Sequence, residues 1–122
     1  MGLHELETLI HTATMPVALD RAGEPRRLPH VVDHSAYRVV RETLAGARRA
    51  TGATVAIEYM PGALAVQVDH DGCSSSLEEV ADLAAALGGG LTAARAQGGF
   101  RVRAWLPTEA QPLYPAGLLA AR

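Results

Sequence analysis

Two short runs of alternating residues constrain this chain more than any other feature. Val55, Ile57 and Tyr59 point one way in the first run, and Leu64, Val66 and Val68 do so in the second. Met60-Pro-Gly-Ala joins them, with Pro61 and Gly62 at the two central positions of a type II turn. The reading is an antiparallel hairpin with one apolar face, and that face needs a cover.

The stretch just upstream supplies it. In His34 to Thr51, Ala36, Tyr37, Val40, Leu44 and Ala47 recur at steps of three and four, while Arg38, Arg41, Arg48 and Arg49 fall largely on the other side. This predicts an amphipathic helix. Asp33 sits where an N-cap oxygen would accept free backbone N–H groups, and Gly52 lies just past the end. Glu42 and Gly46 are four residues apart and share a helix face, which makes that face a candidate wall for any chemical site.

The remaining segments follow the same logic. Leu3, Leu6, Leu9 and Ile10 mark a short amphipathic helix ended by Pro16. Val17 to Asp20 reads as a first strand, and Arg26 to Leu28 as a second short one after the Gly23-Glu-Pro turn. Leu77, Val80, Ala81, Leu83, Ala84 and Leu87 predict a second core-facing helix, stopped at Gly88 to Gly90. Leu91 to Arg95 and Phe100 to Leu106 form a further hairpin around Gln97-Gly-Gly. Antiparallel strands with helices that can cover only one face give a two-layer α/β sandwich, with a mixed, mostly antiparallel sheet. Residues 1–107 are read as one domain and 108–122 as a C-terminal tail, apolar through Leu113, Tyr114, Leu118 and Leu119.

The totals exclude several functional classes. A 122-residue chain with 48% hydrophobic and 20% charged residues is globular rather than disordered. A net charge of −2 gives no global case for nucleic acid, and no run of about 20 apolar residues suggests membrane insertion. With one cysteine, Cys73, and no secretory leader, a cytoplasmic location is expected. The Asp69-His70-Asp71-Cys73 cluster holds metal-ligand types, but neighbours on a strand point apart and no second cluster with zinc spacing exists, so no metal site is assigned. Arg101 and Arg103, flanking Trp105, read as a solubilising face of an edge strand.

Four local sequences, in order, resemble the ATP-binding catalytic domain of sensor histidine kinases, in the GHKL superfamily with the Bergerat fold. AYRVVRETLAGARRATGATVAIEY is similar to the family's N-box helix and next strand. LAVQVDHDG resembles the strand into the Asp-x-Gly-x-Gly box, LEEVADLAAALGGGLTA the helix after the ATP lid, and GGFRVRAWLP the closing strand. The resemblance runs from about Gly2 to Pro107. It implies ATP and magnesium as cofactors if the domain is active, and a response regulator or a kinase dimerisation domain as partner, with homodimerisation a further option.

The resemblance also assigns positions. Glu42 matches the N-box glutamate, and Gly46 stands at the asparagine that would hold magnesium, where a hydrogen side chain cannot ligate a hard cation. Arg49 falls where the family has a basic residue near the phosphates. His70 replaces the adenine-binding aspartate; Gly72 keeps the first glycine of that box and Ser74 replaces the second. Serines 74–76 occupy the lid segment. The family's dimerising helices and phosphate-accepting histidine have no match, and His4 and His11 lack that motif, so a catalytic-type domain or a fragment of a longer protein is expected. Two readings remain open: a kinase ATP-binding domain, degenerate with weak or no Mg-ATP binding, or a non-catalytic interaction or regulatory module that reuses the fold. On the residues alone, Glu42 also has an ordinary role as an ion-pair partner of Arg38 or Arg41.

Overall fold

The computed structural model describes residues 2–73, 77–96 and 98–108. The two alternating runs form strands β2 (Ala53–Met60) and β3 (Ala63–His70), paired antiparallel with Val55 opposite Val68, Ile57 opposite Val66 and Tyr59 opposite Leu64. Gly62 takes a φ of 74°, as the second central residue of a type II turn requires. β1 (Val17–Ala22) joins β2 in parallel, and β5 (Gly99–Pro107) and β4 (Gly90–Ala96) extend the other side antiparallel. The sheet order is β1-β2-β3-β5-β4.

Three helices follow in chain order: α1 (Leu6–His11), after a single 3₁₀ turn at Leu3–Glu5, then α2 (His30–Gly46) and α3 (Glu78–Ala86). α2 lies against β3 and β5, and α3 against β4 and β5. Val32, Ala36, Val39, Val40 and Leu44 of α2 share one core with Val55, Ile57, Val66, Val68, Val102 and Leu106 of the sheet. Each fully buried aliphatic side chain contributes about 1.5–3 kcal/mol relative to exposure. The fold is the expected mixed, mostly antiparallel α/β sandwich. No helix among the described residues is long and apolar enough to cross a membrane.

The opposite sheet face is open and polar, as an antiparallel sheet permits. There Arg101 Nε donates to Asp69 Oδ1 at 2.7 Å, Arg103 donates to Gln67 Oε1 at 3.1 Å, and Trp105 stays 43% exposed. The arginines lie on the solvent side as expected, but β5 is interior to the sheet and the edges are β1 and β4.

Both limits of α2 and one short strand differ from the sequence reading. α2 begins at His30, not near His34, because Pro29 supplies the extended entry residue (φ −53°, ψ 143°) and needs no N–H there. Asp33 therefore lies in the first turn rather than at the cap, and its Oδ1 accepts the Leu3 N–H at 2.9 Å, tying the chain start to α2. The helix also stops early, at Gly46. Ala47 turns extended (ψ 112°), Arg49 takes a φ of 61°, and Arg48 exchanges backbone hydrogen bonds with Cys73 at 2.8 and 2.9 Å. Backbone pairing with the end of β3 replaces the last helical turn, so Gly52 is no helix stop. Arg26 to Leu28 forms no strand. The tail from residue 109 lies outside the described residues, as does Gln97.

Ile57 is 1% exposed at the centre of this core. Ile57→Ala is expected to cost roughly 2–5 kcal/mol in urea unfolding with an unchanged denaturant slope. Arg103→Ala, on the open face, should stay within about 0.5 kcal/mol.

Candidate functional site

The alternation that buries Leu64, Val66 and Val68 carries on to His70, the next residue in phase on β3. His70 is 5% exposed, and its ring stacks on Phe100 at a centroid distance of 5.9 Å and an interplanar angle of 22°. Nδ1 accepts the Gly72 N–H at 3.1 Å. In the neutral ring Nε2 then carries the proton, and that buried donor has no partner among the described residues. Burial holds the His70 pKa below its ordinary 6.5, against the opposing pull of the Asp71 and Asp69 carboxylates.

Gly72 is pressed against the segment that follows α2. A Cβ there would lie 2.2 Å from the Arg48 carbonyl oxygen and 2.7 Å from the Ala50 nitrogen, so no larger residue fits without moving backbone. Asp71 fastens the same segment from beside it. Its Oδ1 accepts the Thr51 N–H at 2.7 Å and the Gly52 N–H at 3.3 Å, and its Oδ2 accepts the Thr51 hydroxyl. These bonds hold the Asp71 pKa below the usual carboxylate value, led by the Thr51 hydroxyl. Neither this latch nor the Arg48–Cys73 pairing was visible in the sequence, because both depend on where α2 stops.

Glu42 faces α3. Its Oε2 lies 3.0 Å from Arg41 Nη2 and 3.7 Å from Arg38 Nη2, and Arg38 also reaches Glu79 at 3.7 Å. A hollow of about 260 Å³ beside it is lined by Glu42, Leu77, Glu78, Glu79 and Val80. A second hollow, of about 340 Å³, borders His70, Asp71, Gly52, Gly99 and Phe100. The two share no lining residue. Arg49 is exposed and lines neither, and Gly46, on the same helix side as Glu42, contributes no side-chain ligand. Ser74 lies outside the described residues, as do the other lid-position serines. Asp69 is engaged by Arg101, Asp71 by Thr51, and His70 faces the core, so these neighbours do not converge; no metal-holding group occurs among the described residues.

The two pKa shifts give a pH dependence. Because the folded state resists protonating His70, the unfolded chain takes the proton first as pH falls below 6.5, and stability declines until the folded pKa is passed. Chemical unfolding followed by circular dichroism should show this fall between neutral and mildly acid pH, and His70→Gln should flatten it. Asp71 acts in a separate window: its contribution is present above its ordinary value of 3.8 and is lost as pH drops through its lowered folded pKa.

No family model and no curated relative matches the chain. Solved structures do. The Erythrobacter litoralis EL346 blue-light activated histidine kinase superposes with a TM-score of 0.62 at 16% identity, over 86% of this chain and 40% of that one. The Acinetobacter baumannii histidine kinase AdeS gives 0.61 at 11% identity, over 88% of this chain and 61% of its own. The histidine kinase domain of the EL346 protein gives 0.57 at 20% identity, over 84% of this chain and 60% of that one. This chain thus spans between 40% and 61% of the proteins it superposes on. With its mixed five-stranded sheet and these superpositions, the chain has a histidine-kinase-like ATP-binding domain fold.

Proposed function

We propose that this chain is a histidine-kinase-type domain of a two-component signalling protein whose nucleotide site has degenerated, and that it acts as an interaction or regulatory module. The observation that carries this reading is the state of His70. It stands where the resemblance puts the aspartate that accepts the adenine amino group. Its one acceptor, Nδ1, is already taken by the Gly72 N–H, and its other nitrogen is a donor. An adenine amino group would meet a donor there.

Three further features support the same reading. Glu42, at the position of the catalytic glutamate, is held by Arg38 and Arg41. The hollow it lines carries Glu78 and Glu79 as well and no cation among the described residues of its wall, so nothing there attracts a triphosphate. Gly46 offers nothing to magnesium. The partners that fit this proposal are a response regulator or a kinase dimerisation domain, reached through protein contact rather than phosphoryl transfer.

Calorimetry and thermal shift with Mg-ATP and Mg-ADP test the proposal. A ligand at 100 times its dissociation constant adds about 2.7 kcal/mol of stability. The expected result is no shift at millimolar nucleotide. Micromolar binding abolished by Glu42→Ala or His70→Ala would overturn the proposal and return the site to nucleotide binding.

A further inference from the structure

At the other end of the sheet from His70, the loop between β1 and α2 builds a basic hollow. It has a volume of about 450 Å³, and Arg21, Arg26, Arg27, His4 and Tyr59 stand in its wall. Tyr59 lies near the end of β2 opposite Ala53, the partner of His70. Six residues of strand, about 20 Å, separate the two places. The hollow is therefore distinct from the degenerate nucleotide site.

Its frame is fixed. Arg26 Nη2 donates to the Met60 carbonyl at 2.7 Å, the Ala63 carbonyl at 3.3 Å and the Thr108 hydroxyl at 3.0 Å. The guanidinium carbon also sits 6.0 Å from the centre of the Tyr59 ring. Gly23, with a φ of 85°, lets the loop approach the strand so closely that a Cβ would lie 2.1 Å from the Tyr59 carbonyl oxygen. The remaining cations are left available. Arg27 makes no hydrogen bond or ion pair among the described residues. Arg21 has only a 4.0 Å approach from Glu7, a largely exposed side chain. The one carboxylate in the wall, Asp33, is engaged with the Leu3 N–H.

A chain of net charge −2 thus gathers three guanidiniums and an imidazole around one aromatic ring, with a single acid among them. We propose that this hollow binds a phosphate group, carried either by free inorganic phosphate or by a phosphate monoester. Guanidinium forks match the oxygens of a phosphate dianion, and several can engage one group at once, whereas a monocarboxylate offers one edge and one charge. Arg27 and Arg21 supply the movable donors, Arg26 a fixed positive field, and Tyr59 an apolar flank for the rest of an ester.

Isothermal titration at low salt with inorganic phosphate and with phosphoserine, beside acetate at matched ionic strength, tests this. Saturable binding of either phosphate probe without acetate binding is expected, and which probe binds separates the free ion from the ester. Arg27→Ala should weaken that binding about tenfold or more while leaving the melting temperature unchanged. Arg101→Ala, on the open sheet face, should leave it intact. No saturable binding of either probe in the low millimolar range overturns the proposal. So does affinity unaltered in Arg27→Ala, or acetate binding as well as phosphate.

Discussion

One face of β3 organises the molecule. Leu64, Val66 and Val68 are wholly buried on the strand at the centre of the sheet, and β2 and β5 extend the same apolar surface on either side. Leaving that surface wet would forfeit several side chains' worth of burial at about 1.5–3 kcal/mol each, so α2 has to lie across it. Once α2 is seated, its end determines where the chain must turn back to start β2. The Arg48–Cys73 exchange, the contact of Gly72 with Ala50 and the Asp71 latch all follow from that turn. The local chemistry near the end of β3 is therefore a by-product of core packing.

The core was legible because it obeys short periods. Alternation identified the apolar faces of β2 and β3, and the three-and-four spacing identified the buried stripe of α2. The helix limits were not legible from that pattern. Pro29 begins the helix by satisfying the backbone at its entry, and Gly46 ends it because Arg48 finds a better backbone partner in Cys73, far along the chain. In this light Gly46 carries less of the mid-helix penalty of roughly 0.5–1 kcal/mol, since it sits at the final helical position.

The site residues divide along the same line. Glu42 as an ion-pair partner of Arg38 and Arg41 was readable from helix spacing alone. The burial of His70 was also readable, since it is in phase with Leu64, Val66 and Val68. Its hydrogen-bonding state was not, because that depends on the path taken by Gly72 after the strand. The basic hollow draws on Arg21, Arg26, Arg27 and Tyr59, which no single periodic pattern unites, and only the return of β2 beside β1 brings them together.

Trp105 gives the fold an optical property. It is the one tryptophan in the chain, and it lies on the open sheet face, with the aliphatic core on the other side of the sheet. Its indole is already partly in water in the native state, so its emission starts from a partly solvated baseline and shifts less on unfolding than that of a core indole would. The same placement makes it an environmental reporter for anything that settles on the polar side of the sheet, where a change in its emission would register docking rather than folding.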